Sequence, residues 1–99
     1  MVYLRNVCTI NINAISSLVK QSLLKDFIWN TDIDIAFLQE VAFEDFGFLP
    51  SHTAIVNISN DNKGTAILVR KPIAFNDVII NPNGRISSLS VDSFNFINV

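Results

Sequence analysis

The segment at residues 34–40 constrains the fold most, because an apolar run, Ile-Ala-Phe-Leu, lies between an aspartate and the polar pair Gln39-Glu40. A short apolar run between polar residues predicts a buried β-strand. In α/β proteins, reactive side chains lie beyond the carboxyl ends of such strands. The pattern therefore predicts that Glu40 is presented at one edge of a sheet.

A second strand is predicted upstream, over residues 2–12, and the sequence Thr-Ile-Asn-Ile-Asn occupies residues 9–13. Both faces of this strand carry apolar groups, as expected of a central strand. A helix follows, capped by Ser16 or Ser17 and running to about Trp29. The helix is expected to be packed rather than solvated, because apolar residues form a broad stripe along it. The stripe consists of Leu24, Phe27 and Ile28, broadened by Leu18, Val19 and Leu23.

Strand, helix and strand within about forty residues predict a crossover unit whose two strands are parallel and adjacent. Asn11 and Glu40 then emerge at the same end of the sheet. Counting with a period of two groups Glu40 with Leu38, and Asn11 with Thr9. This grouping permits one common face for Asn11 and Glu40.

The remainder of the chain predicts an irregular aromatic loop at residues 43–50, followed by antiparallel strands. The strands are expected at residues 53–58, 65–70, 78–80, 86–91 and 94–99. A polar turn ends at Gly64, and Pro-Asn-Gly at residues 82–84 favours a tight turn, since Asn-Gly accepts positive φ. The predicted fold class is α/β: a single domain with one βαβ unit followed by an antiparallel meander, half of a two-sheet sandwich.

The composition and the last strand both indicate that part of the domain is missing from residues 1–99. Apolar residues make up 49% of the chain and charged residues 16%, whereas about a quarter charged is usual. This excess predicts surface that another part of the protein covers. The last strand stops at Val99 without a cap or polar tail, so residues 1–99 are expected to be a domain truncated at its C-terminus.

Seven basic and nine acidic residues give a net charge of −2, so no global positive field draws the chain to nucleic acid. Any contact with nucleic acid must be local. The single cysteine, Cys8, excludes an internal disulfide, and no N-terminal stretch has the apolar length of a signal peptide or a membrane span. These features predict an intracellular protein.

The order of these motifs resembles the N-terminal half of the endonuclease/exonuclease/phosphatase superfamily, the fold of DNase I and of abasic-site endonucleases. Within it, the chain looks most like the endonuclease domain of non-LTR retrotransposons of the LINE and jockey type. The segments that carry the resemblance are residues 9–13, the helix to Trp29, and residues 34–40, 63–69 and 84–99.

The resemblance implies roles for three residues: Asn11 and Glu40 as catalytic residues, Glu40 and Asn13 at the metal, and Asn11 and Asn13 at the substrate. It implies Mg²⁺, or Mn²⁺ in its place, and target DNA bound by the complete domain. It also implies a reverse transcriptase domain in the full polyprotein and a nuclear location. Ala14 departs from the family's usual glycine. The family's tyrosine, Asp-x-Asn and terminal Asp-His would follow Val99 and are absent from residues 1–99.

Phosphodiester hydrolysis requires neutralised phosphate charge, a positioned water and a base. A glutamate at a strand end suits Mg²⁺, which prefers oxygen ligands and often binds only one or two carboxylates. An asparagine amide accepts and donates without adding charge. Because the base is missing, the 99 residues alone are expected to be inactive. Two alternatives remain: another superfamily phosphatase or RNA nuclease, and a catalytically dead remnant or interaction fragment.

Simpler interpretations exist for each of these residues. Glu40 by itself fits a solvated loop residue, and Asn11 and Asn13 fit a strand end that caps turns. The Asn-Ile-Asn sequence and the order of the motifs favour the functional interpretation. Gln39 is predicted to be structural, because a period of two directs it away from Glu40.

The remaining polar and aromatic residues are predicted to have structural or solvated roles. Asp32 and Asp34 lie at least about 20 Å from Glu40 along an extended strand and cannot share its metal. His52 is predicted in a surface loop, and Cys8 is predicted to be an inert core thiol. The aromatic residues Phe43, Phe46 and Phe48 are predicted to form a local plug of the core. Most of the basic residues near turns and strand ends are predicted to face water, namely Lys63, Arg70, Lys71 and Arg85.

Overall fold

The computed structural model describes residues 6–13, 17–59, 64–81, 87–92 and 94–98. Within these ranges the elements are β1 (Val7–Asn11), α1 (Leu18–Asn30), β2 (Ile35–Val41), β3 (His52–Ile58), β4 (Gly64–Arg70), β5 (Asn76–Ile80), β6 (Ser87–Val91) and β7 (Phe94–Asn98). The predicted strands are confirmed to within about two residues wherever both ends are described. The first residues of the predicted β1, most of the polar turn before Gly64, and the Pro-Asn-Gly turn lie outside the described residues.

The strands form two sheets, with orders β1-β2-β4-β3 and β5-β6-β7. β1 and β2 are parallel neighbours joined through α1, which confirms the βαβ unit. All other pairs are antiparallel. The predicted meander is therefore divided between the sheets: β3 and β4 complete the first sheet, with β4 beside β2, and β5, β6 and β7 form the second. The α/β class is confirmed.

The core consists of two clusters, one on each face of the first sheet. On one face, Leu24 and Ile28 of α1 pack with Ala36 and Leu38 of β2, which have no exposed surface. On the other face, residues of the second sheet pack over β2 and β4. That cluster consists of Ile35, Phe37, Ile67, Val69, Leu89 and Val91. The first sheet is thus a central layer between a helix and a second sheet.

The predicted aromatic plug is confirmed. Phe46 is buried, and its ring centroid lies 4.7 Å from that of Phe43 and 5.7 Å from that of Phe48. All three side chains pack against the cluster beneath α1. These rings therefore belong to the core and its border rather than forming an exposed platform for stacked bases.

Ser17 is the N-cap of α1, and its Oγ accepts a hydrogen bond from the Lys20 N–H at 3.2 Å. The prediction of a helix packed on a broad stripe is wrong, because only Leu24 and Ile28 are buried. Several apolar side chains of α1 are exposed, namely Leu18, Val19, Leu23, Phe27 and Trp29. A helix lying on a single sheet buries one narrow line of residues, and its outer face stays in solvent.

Asp34 and Arg70 lock the start of β2 to the end of β4. Asp34 is 1% exposed, and its Oδ1 accepts from Arg70 Nε at 2.7 Å and also from Arg70 Nη2. The Asn6 N–H donates to the other carboxylate oxygen at 3.3 Å. Of the basic residues predicted mostly to face water, Lys71 is exposed and Arg70 is held in this ion pair, whereas Lys63 and Arg85 lie outside the described residues. Since the pair lies where β2 begins, Asp34 belongs to the opposite end of the strand from Glu40, as predicted.

The exposed apolar side chains predict self-association of the 99-residue chain. Leu23 on α1 is 63% exposed and Ile97 on β7 is 69% exposed. Light scattering coupled to gel filtration is expected to show oligomers of the unmodified chain, with a shift towards monomer for the double variant Leu23→Lys and Ile97→Lys. A monomer that shows no change on substitution would contradict this prediction.

With 13 residues, α1 is shorter than the roughly 20 apolar residues that a bilayer-spanning helix requires, and no other helix is found in the described ranges.

Candidate active site

The carboxyl ends of β1 and β2 meet at one edge of the first sheet. The register pairs Asn11 with Gln39, and the Ile12 N–H donates to the Gln39 carbonyl at 3.1 Å. Glu40 follows Gln39 directly, so its Cα lies within about 9 Å of the Asn11 Cα, the sum of the strand spacing and one Cα–Cα step. Asn11 and Glu40 thus emerge at the same end of the sheet, as predicted.

The common face deduced from a period of two is wrong. Asn11 shares its cross-strand row with Gln39, and Thr9 shares its row with Phe37, whereas Leu38 lies opposite Ile10. In addition, the pairing of β2 with β4 shifts between Gln39 and Val41, which makes Glu40 the extra residue of a β-bulge. Simple alternation therefore ends at Gln39 and does not set the direction of Glu40.

The backbone of Glu40 is in the left-handed region, with φ at 54°. The other non-glycine residues with positive φ in the described ranges are all asparagine or aspartate: Asn13, Asp32, Asp77 and Asp92. Their short polar side chains tolerate this conformation, whereas a residue such as glutamate is destabilised by roughly 1–2 kcal/mol. Strained residues and bulges concentrate at functional sites, where they redirect a side chain.

Asn11 and Asn13 are brought together by a local hydrogen bond. The Asn13 N–H donates to Asn11 Oδ1 at 2.9 Å, and both residues are exposed. Only an oxygen can accept from a backbone N–H, so this bond defines which end of the Asn11 amide is which. The bond occupies the side-chain oxygen of Asn11, so a contact of this amide with a ligand would be made by its NH₂ group as the donor.

Gln39 is structural, as predicted, but it is also the centre of a network. Its Nε2 shares two hydrogens among three acceptors: Thr9 Oγ1 at 2.9 Å, the Phe37 carbonyl at 3.2 Å and Asn98 Oδ1 at 2.8 Å. Asn98 is 2% exposed and lies on β7 of the second sheet. Its position beside the candidate site was not foreseen from the sequence. The pattern offers one hint: a period of two places Asn98 on the same face of β7 as Phe94 and Phe96.

The chain resembles known proteins in fold rather than in sequence. No protein family and no curated protein matches it. The crystal structure of truncated Caenorhabditis elegans TDP2 matches it with a TM-score of 0.60 and 23% sequence identity over 92% of this chain. The fold is DNase I-like. The chain spans 43% of the length of the TDP2 chain that it matches.

A shallow groove of about 270 Å³ adjoins the candidate site of this DNase I-like fold. It is lined by Asn11 and by α1 residues that include Lys20, Leu23 and Phe27. Lys20 therefore brings a positive charge to the end of the sheet that carries Asn11. No sequence pattern singles out this lysine, because only the packing of α1 beside β1 brings it there.

A larger cleft of about 460 Å³ lies at the opposite end of the sheet, near Trp29, His52 and Arg70. His52 is buried there, with Nε2 donating to the Ile33 carbonyl at 2.8 Å and Nδ1 lying 2.8 Å from Ser51 Oγ. The prediction of a surface-loop histidine is wrong. His52 is the first residue of β3, and its ring is hydrogen-bonded to the chain that leads into β2. Its two ring nitrogens are already hydrogen-bonded, so His52 is a structural residue.

Cys8 behaves as the predicted structural thiol. It lies within β1 and packs against the cluster beneath α1. Burial raises the pKa of the Cys8 thiol above its usual value, because desolvation disfavours the thiolate. At neutral pH the side chain is therefore a neutral, poorly nucleophilic group.

Proposed function

We propose that this chain is the N-terminal part of the Mg²⁺-dependent DNA endonuclease domain of a non-LTR retrotransposon. One observation carries the proposal: the parallel register of β1 and β2 brings Asn11 beside Gln39 and Glu40 at one edge of a DNase I-like fold. That arrangement joins the two motifs on which the resemblance to these endonucleases depends.

The residues at this edge suit a magnesium ion as half of a site. The described ranges contain no cluster of three or more His, Cys, Asp or Glu side chains that would bind a metal by themselves. Mg²⁺ needs no such cluster, since it keeps several waters and often binds one or two carboxylates. Glu40, which is exposed, and the amide oxygen of Asn13 would hold it, and Mn²⁺ accepts the same ligands. When bound, the ion neutralises phosphate charge and acidifies water.

Asn11 would contact the scissile phosphate. Its Oδ1 is engaged by the Asn13 N–H, so the NH₂ group donates to a phosphate oxygen and fixes the position of the phosphodiester. In this proposal, the proton acceptor comes from sequence beyond residues 1–99, because His52 lies in the cleft at the opposite end of the sheet. The 99-residue chain alone would then bind metal without cleaving DNA.

The similarity to TDP2 favours a second candidate, another phosphodiesterase, phosphatase or RNA nuclease of the same superfamily. A third candidate is an inactive remnant of a mobile element. The reading frame after Val99 separates them: Tyr-Ala-Pro, Asp-x-Asn and Asp-His would support the endonuclease, and early stop codons would support the remnant.

The direct test uses the complete natural protein that contains these residues. We expect it to convert supercoiled plasmid to nicked circles in Mg²⁺ and to lose this activity in EDTA. Single-stranded RNA and p-nitrophenyl phosphate serve as competing substrates. Faster turnover of either would favour the second candidate, and no turnover of any of the three would favour the remnant.

Lys20 is expected to contact a phosphate beside Asn11. Lys20→Ala should weaken DNA binding at low salt and reduce the slope of log affinity against log salt by about one, the value for one lost phosphate contact. Fluorescence anisotropy of a labelled duplex at several salt concentrations measures both quantities. Lys25→Ala is the matched control, since Lys25 lies on the same helix but lines the distant cleft. Equal effects of the two substitutions would exclude a specific role for Lys20.

A further inference from the structure

We propose that Asn98, acting through Gln39, is a positioning residue for Glu40. This inference rests on the proposed function of Glu40 as the carboxylate that holds a divalent metal. Asn98 lies on β7 of the second sheet and Glu40 at the end of β2 in the first. A residue of one sheet thus controls the geometry of a carboxylate carried by the other.

The side-chain amide of Asn98 is held in one orientation. Its Oδ1 accepts from Gln39 Nε2 at 2.8 Å, and its Nδ2 donates to the carbonyls of Leu38 and Ala66, each at 3.1 Å. Both donor hydrogens and the acceptor are used, as a buried amide requires. Asn98 therefore binds the two residues that immediately precede Glu40: the backbone of Leu38 and the side chain of Gln39.

Glu40 needs such support because its backbone is left-handed and lies in a bulge. A strained conformation persists only where its surroundings determine it fully. Gln39 supplies a fixed starting point, since its Nε2 is bound from β1 by Thr9, from β2 by the Phe37 carbonyl and from β7 by Asn98. Loss of these bonds would free the strand end and let Glu40 leave the position in which it meets a metal.

The simpler explanation is that Asn98 only joins the two sheets. Asn57 provides the comparison, because it is 6% exposed and its Nδ2 donates at 2.7 Å to the carbonyl of Asn81, directly after β5. It lies on β3, separated from β2 by β4. Asn57→Ala removes a part-buried side-chain hydrogen bond between the same two layers without touching Gln39.

The test measures the affinity of the complete natural protein for Mn²⁺. The electron paramagnetic resonance signal of the free ion reports how much Mn²⁺ is unbound. Asn98→Ala and Gln39→Met are each expected to weaken Mn²⁺ binding about tenfold, the lower end of the range for lost outer-shell contacts. Asn57→Ala is expected to leave the affinity unchanged. Urea unfolding of each variant verifies that all are folded under the assay conditions.

Thr9 provides a test that does not depend on a buried substitution, because its side chain is exposed. Thr9→Val removes the Oγ1 that Gln39 binds, and Thr9→Ser retains it. We expect weaker Mn²⁺ binding in Thr9→Val and unchanged binding in Thr9→Ser, and this pair decides the matter if Asn98→Ala does not fold.

Glu40→Ala separates the two levels of the proposal. Unchanged Mn²⁺ affinity in Glu40→Ala would overturn the proposed function, and the positioning role with it. Loss of binding in Glu40→Ala together with equal affinities for Asn98→Ala and Asn57→Ala would overturn the positioning role alone.

Discussion

Glu40→Ala is expected to reduce Mg²⁺-dependent nicking by at least about 10²-fold, the scale of loss when one preorganised group is removed from a reacting centre. Glu40 is an exposed carboxylate at the edge where β1 and β2 end, and it is the one to which the proposal assigns the metal. The measurement is the initial rate of nicked-circle formation from supercoiled plasmid by the complete natural protein. Glu44→Ala is the control, since Glu44 is also exposed and lies four residues further along the chain.

Glu40→Gly sharpens this prediction, because stability and activity should change in opposite directions. Glycine adopts a φ of 54° without strain, so the folded state should gain roughly 0.5–1 kcal/mol after the entropic cost of glycine. Nicking should nevertheless be lost as fully as in Glu40→Ala. Equal nicking by the unmodified protein and either variant would remove Glu40 from the mechanism.

Arg70→Met is expected to lower the free energy of unfolding by about 3 kcal/mol, measured by urea denaturation. The substitution takes the guanidinium away from Asp34, whose side chain is 1% exposed, while that of Arg70 is 38% exposed. Removing one partner from a buried ion pair costs about 3–5 kcal/mol, and the partial exposure of Arg70 places this pair at the lower end. The loss should be structural, because the pair lies at the opposite end of β2 from Glu40.

Two controls accompany this experiment. Lys71→Met removes the neighbouring exposed charge and should change stability by less than about 0.5 kcal/mol. The double variant Asp34→Asn and Arg70→Met should be more stable than Arg70→Met alone, because the buried charge is removed together with its partner. A loss of similar size in Lys71→Met and Arg70→Met would show that the ion pair contributes little.

Local patterns predicted the elements of this fold well, because each depends on residues close together in the chain. The apolar run between polar residues at 34–40 predicted β2, and a hydroxyl at Ser16 or Ser17 predicted the start of α1, where the structure has Ser17 as the cap. The connection of strand, helix and strand in a short length predicted parallel pairing of β1 with β2. The same pairing predicted that Asn11 and Glu40 emerge at one edge.

The details of the candidate site could not be predicted in this way. The register sets Asn11 opposite Gln39, and a bulge paired against Gly64 of β4 displaces Glu40 from the alternation. A Cβ at Gly64 would lie 1.9 Å from the Asn57 carbonyl oxygen, so the absence of a side chain allows β3 to approach closely there. Such shifts depend on how strands meet, which the period of a single strand does not encode.

The sequence by itself determined where this protein forms strands and a helix, and which ends of the first two strands coincide. Only the tertiary structure decided what surrounds those ends: the left-handed Glu40, the Asn98 amide 59 residues from Gln39, and the Arg70 guanidinium 36 residues from Asp34. The physical reason is the distance along the chain over which each effect acts. Periodicity acts over a few neighbouring residues, whereas a buried polar group is satisfied by whichever partner the packing of distant strands brings within hydrogen-bond distance.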